Sequence, residues 1–220
     1  MSYLKDILVL MHVIINCAMS ADGKIALPSR AKTKISNEED MKRVHMLRNE
    51  CDAVLVGINT ILSDNPKLTV KEKYVKNPKN PLRVVVDSKC RTPENANVLD
   101  GSAETLVVVA EGFSRQIKNA GMVECGTGKV DLKKLLKILE KKGVKKLLVE
   151  GGSTVIWSFL NEKLADELIV FVGPSVIGGE GGPTLAGGEG AKCFEEIIPL
   201  KLKDVKRIGD GVLLHYRVVK

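Results

Sequence analysis

Between Lys146 and Thr154 the chain reads Lys-Leu-Leu-Val-Glu-Gly-Gly-Ser-Thr, a short apolar run that enters two glycines and then a helical pattern. Leu147, Leu148 and Val149 suit a strand covered on both faces, which requires a parallel sheet with helices packed on either side. Glu150 then falls at the carboxyl end of that strand, where open α/β sheets place their ligands. Gly151 and Gly152 lack a Cβ and let backbone N–H groups approach an anion, and Ser153 or Thr154 can cap the helix through Leu160. Taken alone, the stretch fits a phosphate site or a ligand-free strand–helix junction equally well.

The same alternation recurs along the chain. Met11–Met19 reads as a central strand, and Ser20-Ala-Asp-Gly-Lys24 leaves it through an Asp-Gly turn that sets Lys24 in a loop near a strand end. An isolated exposed Lys is ordinarily just solvated. Ser36 with Glu39 has the spacing of a capping box, with Met41, Val44 and Leu47 as one apolar face of a helix to about Asn49. Ala53–Gly57 is a second buried strand, and a helical turn from Asn59 places Thr60 and Asp64 four apart on one face, unless Asp64 only caps that turn. Residues 71–81 are polar and carry two prolines, the pattern of a surface loop. Leu82–Asp87 is a third strand; Asp87 at its end fits a ribose hydroxyl, whereas Ser88, Lys89 and Arg91 behind it fit a 2′-phosphate.

Thr105–Ala110 and Gly121–Cys125 are further strands, separated by a short helix over 114–120. Asp131 caps an amphipathic helix bearing Leu132, Leu135, Leu136 and Leu139, which Gly143 ends. Glu167–Val172 is another buried strand. Residues 173–190 are too rich in glycine to be regular and form either a linker or a second ligand-facing loop. Leu200–Ile208 and Val212–Val219 flank Asp210-Gly211, a hairpin signal that closes the sheet with antiparallel strands. A mixed α/β sheet, mostly parallel, with helices on both faces is the expected fold, and 220 residues fit one domain.

Several functions are disfavoured. A net charge of +7 draws anionic partners, but one Trp, three Tyr and four Phe are too scattered for a base-stacking platform, so nucleic acid is not an expected partner. Cys17, Cys51, Cys90, Cys125 and Cys193 are odd in number and widely spaced, which argues against a disulfide framework and a metal site and for a reducing cytoplasm. His12, His45 and His215 are isolated from one another in sequence. Met1 to Ala21 mimics a signal peptide, but Asp6, His12 and Asn16 interrupt it, and no transmembrane span is read. Gly126-Thr-Gly-Lys129 lacks the P-loop spacing, and no strand–helix junction carries the Rossmann glycine fingerprint.

Four segments together resemble the reductase family of riboflavin biosynthesis: Ser20–Ala26, Val56–Pro66 with Leu68-Thr69, Arg83–Ser88 with Arg91-Thr-Pro93, and Val149–Ser153. The match runs from about Met11 to Lys220. No zinc-deaminase motif precedes it, as in the stand-alone archaeal or fungal form. The resemblance implies a dihydrofolate-reductase-like fold, a homodimer, and NADPH as hydride donor with NADH left open. It also implies a substrate, 2,5-diamino-6-ribosylamino-4(3H)-pyrimidinone 5′-phosphate, reduced to its ribitylamino form. By motif, Gly151, Gly152, Ser153 and Thr154 would hold the cofactor diphosphate, Thr60, Asp64 and Val86 would line the cofactor, and Ser88 with Lys89 or Arg91 would face the adenosine phosphate.

Lys24, Asp64 and Glu150 fall where the family contacts its substrate and are the implied catalytic group. Bacterial relatives often carry Arg just after the Leu-Thr pair, where Val70 stands here; Lys71, Arg48 or a partner subunit would replace it in binding the phosphate. No metal is implied. The competing readings are a dihydrofolate reductase proper, which would want an acid within the first helix, and a nucleotide-binding regulatory module without turnover.

Overall fold

The computed structural model describes residues 11–30 and 33–220; the part of the signal-like stretch before Met11 lies outside that set. Nine strands form one sheet in the order β5-β4-β3-β2-β6-β1-β7-β9-β8. The strands are β1 (His12–Ser20), β2 (Ala53–Gly57), β3 (Leu82–Val86), β4 (Thr105–Val109), β5 (Gly121–Glu124), β6 (Lys146–Val149), β7 (Glu167–Gly173), β8 (Leu200–Ile208) and β9 (Gly211–Val218). From β5 across to β7 every neighbouring pair is parallel; β9 joins β7 antiparallel, and β8 joins β9 likewise.

Alternation along β1 explains the layering. Val13 and Ile15 point to one core with Leu55, Leu147 and Val149, whereas Ile14 points to the other with Val54, Val56 and Leu148. Helices α3 (Leu132–Lys141) and α4 (Ser153–Asn161) cover the first face through Leu135, Leu139, Ile156 and Phe159. Helices α1 (Glu38–Glu50) and α2 (Ile58–Asp64) lie on the second through Leu47, Ile58 and Ile61. Burying about 25 cal/mol per Å2 of such apolar surface is what the β-branched strand residues contribute. No helix among the described residues is long and apolar enough to cross a membrane.

Local details depart from the sequence reading in four places. Asn37, not Ser36, caps α1: its side-chain oxygen accepts from Asp40 N at 2.8 Å while its amide donates to Ile208 O at 2.8 Å and Asp210 Oδ1 at 2.7 Å. One residue thus satisfies the helix start and ties it to the hairpin, which a Ser hydroxyl is too short to do. Residues 114–120 are not helical, since Arg115 N turns to Met122 Sδ at 3.3 Å and Asn119 is left-handed at φ 60°. The hairpin turns at Gly209-Asp210 rather than Asp210-Gly211, with Gly209 at φ 58°. Gly211 instead begins β9, where the Phe171 ring packs directly over its α-carbon.

The fourth departure is at the end of β3. Asp87 is fully buried, and its Oδ2 accepts from Thr92 N at 2.7 Å and Thr92 Oγ1 at 2.8 Å. It closes the turn through residue 92 and does not present itself to a ribose.

Candidate active site

The carboxyl ends of β2, β3 and β6 open into a cleft of about 370 Å3. Gly57, Val86 and Gly152 come from those three strand ends, and Thr60, Ser63 and Asp64 from α2. Ser153, Thr154 and Val155 of α4 form another wall, Ser88, Lys89 and Arg91 the far rim, and Ile25, Ala26, Arg30 and Pro183 the near one. Ligands of open parallel sheets collect in such a crevice because the strand order forces adjacent connections to opposite faces.

Two glycines shape the floor. Gly57 lies so close to α4 that a Cβ would stand 2.7 Å from Val155 Cγ2, so β2 and α4 meet without a side chain between them. Gly152 is the N-cap of α4 and makes no side-chain cap bond; neither Ser153 nor Thr154 caps, because the helix begins at Ser153. A Cβ on Gly152 would lie 3.3 Å from Thr60 Oγ1, so the gap between α2 and the start of α4 is one backbone wide. The N–H groups of this first turn, which itself holds no acidic residue, suit an anion. Gly151 is at φ 118°, a conformation that glycine tolerates, and the Gly151–Gly152 peptide is cis.

Asp64 ends α2 and faces the cleft with no hydrogen bond or ion pair to any described residue, so it caps nothing; the C-terminal turn is closed by Asn65 N donating to Ile61 O. Arg91 reaches Asn59 Oδ1 at 3.4 Å, and Ser88 Oγ accepts from Val130 N at 3.1 Å. Lys24 stands beside the cleft rather than in its wall. It pairs with Thr184 in an antiparallel bridge, and its Nζ donates to Gly182 O at 3.4 Å. The glycine-rich segment is therefore neither a linker nor free: Ile25 N donates to Pro183 O at 2.9 Å, and Gly187 N to Ser153 O at 3.1 Å.

Glu150 also lies outside the cleft wall. Arg48 grips it with two parallel bonds, Nε to Oε1 at 2.8 Å and a terminal nitrogen to Oε2 at 2.6 Å, and also donates to Thr69 O at 3.2 Å. Both side chains are nearly buried, at 13% and 10% exposure. Burial alone would make Arg48 easier to deprotonate, but the adjacent Glu150 charge and its hydrogen bonds outweigh it and hold the guanidinium more firmly charged than usual. Next to this pair, buried His45 accepts from Lys71 N at Nδ1 at 3.2 Å and stacks on Tyr74. Burial first, then the Arg48 and Lys71 charges, push the imidazole down to about 4, so it is neutral at physiological pH.

The structure thus gathers Thr60, Asp64, Val86, Ser88, Gly152, Ser153 and Thr154 around one cleft and sets Lys24, Glu150 and Gly151 just beyond it. Arg30, Asn59 and Ser63 were not singled out in the sequence. Arg30 had no local signal, since it enters the rim only through the fold of the loop after β1.

Among the described residues, a mostly parallel nine-stranded sheet with its cleft at the carboxyl ends of β2, β3 and β6, closed by an antiparallel hairpin, makes this a mixed α/β protein with helices on both faces of one sheet. The chain belongs to the RibD C-terminal domain family, whose model matches residues 11–214. It is an oxidoreductase, as its relatives are named. It is 43% identical over 212 residues to the 2,5-diamino-6-ribosylamino-4(3H)-pyrimidinone 5′-phosphate reductase of Methanothermobacter thermautotrophicus, covering 94% of this chain and 98% of that protein. The reductase of the same name from Archaeoglobus fulgidus is 44% identical over 214 residues, covering 91% and 94%. Among solved structures, Acinetobacter baumannii RibD superposes with a TM-score of 0.81 at 23% identity, over 97% of this chain and 59% of that one, a likeness of fold.

Proposed function

We propose that this chain, acting as one reductase domain from about residue 11 to 220, uses NADPH to reduce the ribosylamino group of 2,5-diamino-6-ribosylamino-4(3H)-pyrimidinone 5′-phosphate to ribitylamino. The observation that carries this reading is the cleft itself, which has an anion-ready helix start at one end and a basic rim at the other. The α4 N-terminus with Gly152, Ser153 and Thr154 holds the diphosphate, Thr60 and Val86 flank the dinucleotide, and Ser88, Lys89 and Arg91 meet the adenosine phosphate. A side chain at Gly152 would press on Thr60, so the backbone itself faces the cleft there, as close approach to a diphosphate requires.

A glycosylamine opens to an imine as its N–H proton passes to the ring oxygen; C1′ can then take a hydride, which the reduced nicotinamide would supply when bound, while the imine nitrogen takes a proton from solvent. The protein's own work is to position the substrate and to complement its charge. Asp64, at the cleft wall and without a side-chain partner among the described residues, accepts from the ribose hydroxyls as the ring opens. Lys24 complements the substrate from the loop beside it. Glu150, fixed by Arg48, orients the substrate from the strand end, with Lys71 near the substrate phosphate.

The enzyme acts in the cytoplasm as a homodimer. Strand β8 is an edge, exposed on both faces, with Leu200, Leu202 and Val205 40%, 52% and 52% exposed; a second copy of the chain covers such an apolar edge. The deciding experiment follows absorbance of the reduced nicotinamide with NADPH alone, then with the diaminopyrimidine. Consumption only on adding the pyrimidine is expected, and none in either case would overturn the reading. Sedimentation should give a dimer.

A further inference from the structure

Asp22 stands at the junction of the two segments that form the near rim of the cleft. Its Oδ1 accepts from Ser20 Oγ at 2.6 Å and from Ile177 N at 3.0 Å, and its Oδ2 from Gly178 N at 2.7 Å. Ser20 Oγ in turn accepts from Lys24 N at 3.0 Å, so this one carboxylate links the turn that bears Lys24 to the start of the glycine-rich segment, beside the backbone bond from Ser20 N to Lys24 O at 2.8 Å. The two segments continue side by side from there. Ala21 N donates to Ser175 O at 2.7 Å and Ile25 N to Pro183 O at 2.9 Å, with Lys24 facing Thr184. Ile25 and Pro183 then contribute to the cleft wall. Residues 177–182 include four glycines and can offer little rigidity of their own. The Ser20 hydroxyl, followed by the two N–H groups, draws Asp22 down to about 2, so the acceptor is charged throughout the working pH range.

We propose that Asp22 is a positioning residue for the reaction, clasping the glycine-rich segment to the Lys24 turn so that both form one fixed wall beside the substrate. The inference rests on the reductase reading above. The carboxylate touches neither reactant; it acts through Lys24 and through residues 177–183.

The test is Asp22→Asn, which keeps the shape and removes the charge. Amide exchange at Ile177 and Gly178 should quicken at least about tenfold, and kcat with the diaminopyrimidine should fall about tenfold while NADPH affinity changes less than about threefold. Ser20→Ala removes the hydroxyl that joins Asp22 to the Lys24 turn and leaves the Asp22 bonds to Ile177 N and Gly178 N in place. It should lower kcat similarly with exchange at Ile177 and Gly178 little changed. Unchanged exchange in Asp22→Asn, or faster exchange with wild-type kcat and KM, overturns the proposal. A wild-type enzyme that does not turn over the diaminopyrimidine instead overturns the reductase reading, so the two failures are distinct.

Discussion

Arg48 and Glu150 lie 102 positions apart in sequence yet form a two-pronged, nearly buried ion pair at the end of β6. Removing one partner leaves the other charge buried without its complement, at a cost of about 3 kcal/mol. Glu150→Gln should therefore lower stability by about that amount in urea unfolding. Replacing both, as Arg48→Met with Glu150→Leu, should regain most of it, because an apolar pair of similar volume fills the same space. Turnover should stay low in the double variant if Glu150 orients the substrate. A double variant with wild-type turnover would assign the pair to the fold alone.

Asp64 gives a cleaner test of the cleft, since it caps nothing and has no partner among the described residues. Asp64→Asn should leave stability within about 0.5 kcal/mol. Turnover should fall at least about tenfold with NADPH still bound. Loss of NADPH affinity in parallel would move this residue to the cofactor side.

Strands such as β2, β3, β4 and β7 were legible because each is a short apolar run rich in Val, and α3 because its leucines keep helical spacing behind Asp131. The cleft was legible wherever a motif sits on a strand end, as at Thr60, Val86 and Gly152. What escaped depends on distant partners. Asn37 outcompetes Ser36 because Ile208 and Asp210 arrive beside it. Arg83 reads as an ordinary strand residue, yet it is wholly buried, pairing with Asp100 and donating to Thr105 Oγ1 and Ala103 O. Glu150 was correctly set at a strand end, but nothing local shows that Arg48 occupies both its oxygens.

His45 predicts an acid-sensitive element. Its folded value of about 4 lies below the roughly 6.5 of an unfolded-chain histidine. Below about pH 6.5 the unfolded state binds the proton that the folded state refuses, so this group lowers stability as pH falls toward 4 and adds nothing further beneath that. His45→Gln keeps an acceptor for Lys71 N without the titration. The wild-type urea midpoint should fall relative to that of His45→Gln as pH drops from about 6.5 to 4, so the two proteins lie closest near pH 7 and separate toward pH 4; parallel profiles would rule out His45 as the cause.

Selection between NADPH and NADH should reside in the far rim. Asp87 is fully buried, with its Oδ2 held by Thr92, and does not reach the 2′-hydroxyl of NADH, while Lys89 and Arg91 line the cleft directly beyond it. A 2′-phosphate meets these two cations as a charge-assisted contact at an exposed rim, where salt weakens it. Lys89→Ala with Arg91→Ala should thus bind NADPH at least about tenfold less well and NADH nearly as before, so that the preference collapses from one side. Raising salt on the wild type should reproduce part of the loss. Arg30 lines the same cleft and is the third cation there among the described residues, so Arg30→Ala serves as the control. If Arg30→Ala alone weakens NADPH and the double variant does not, the 2′-phosphate is read from the near rim. If both cofactors weaken together in the double variant, Lys89 and Arg91 act on the diphosphate they share.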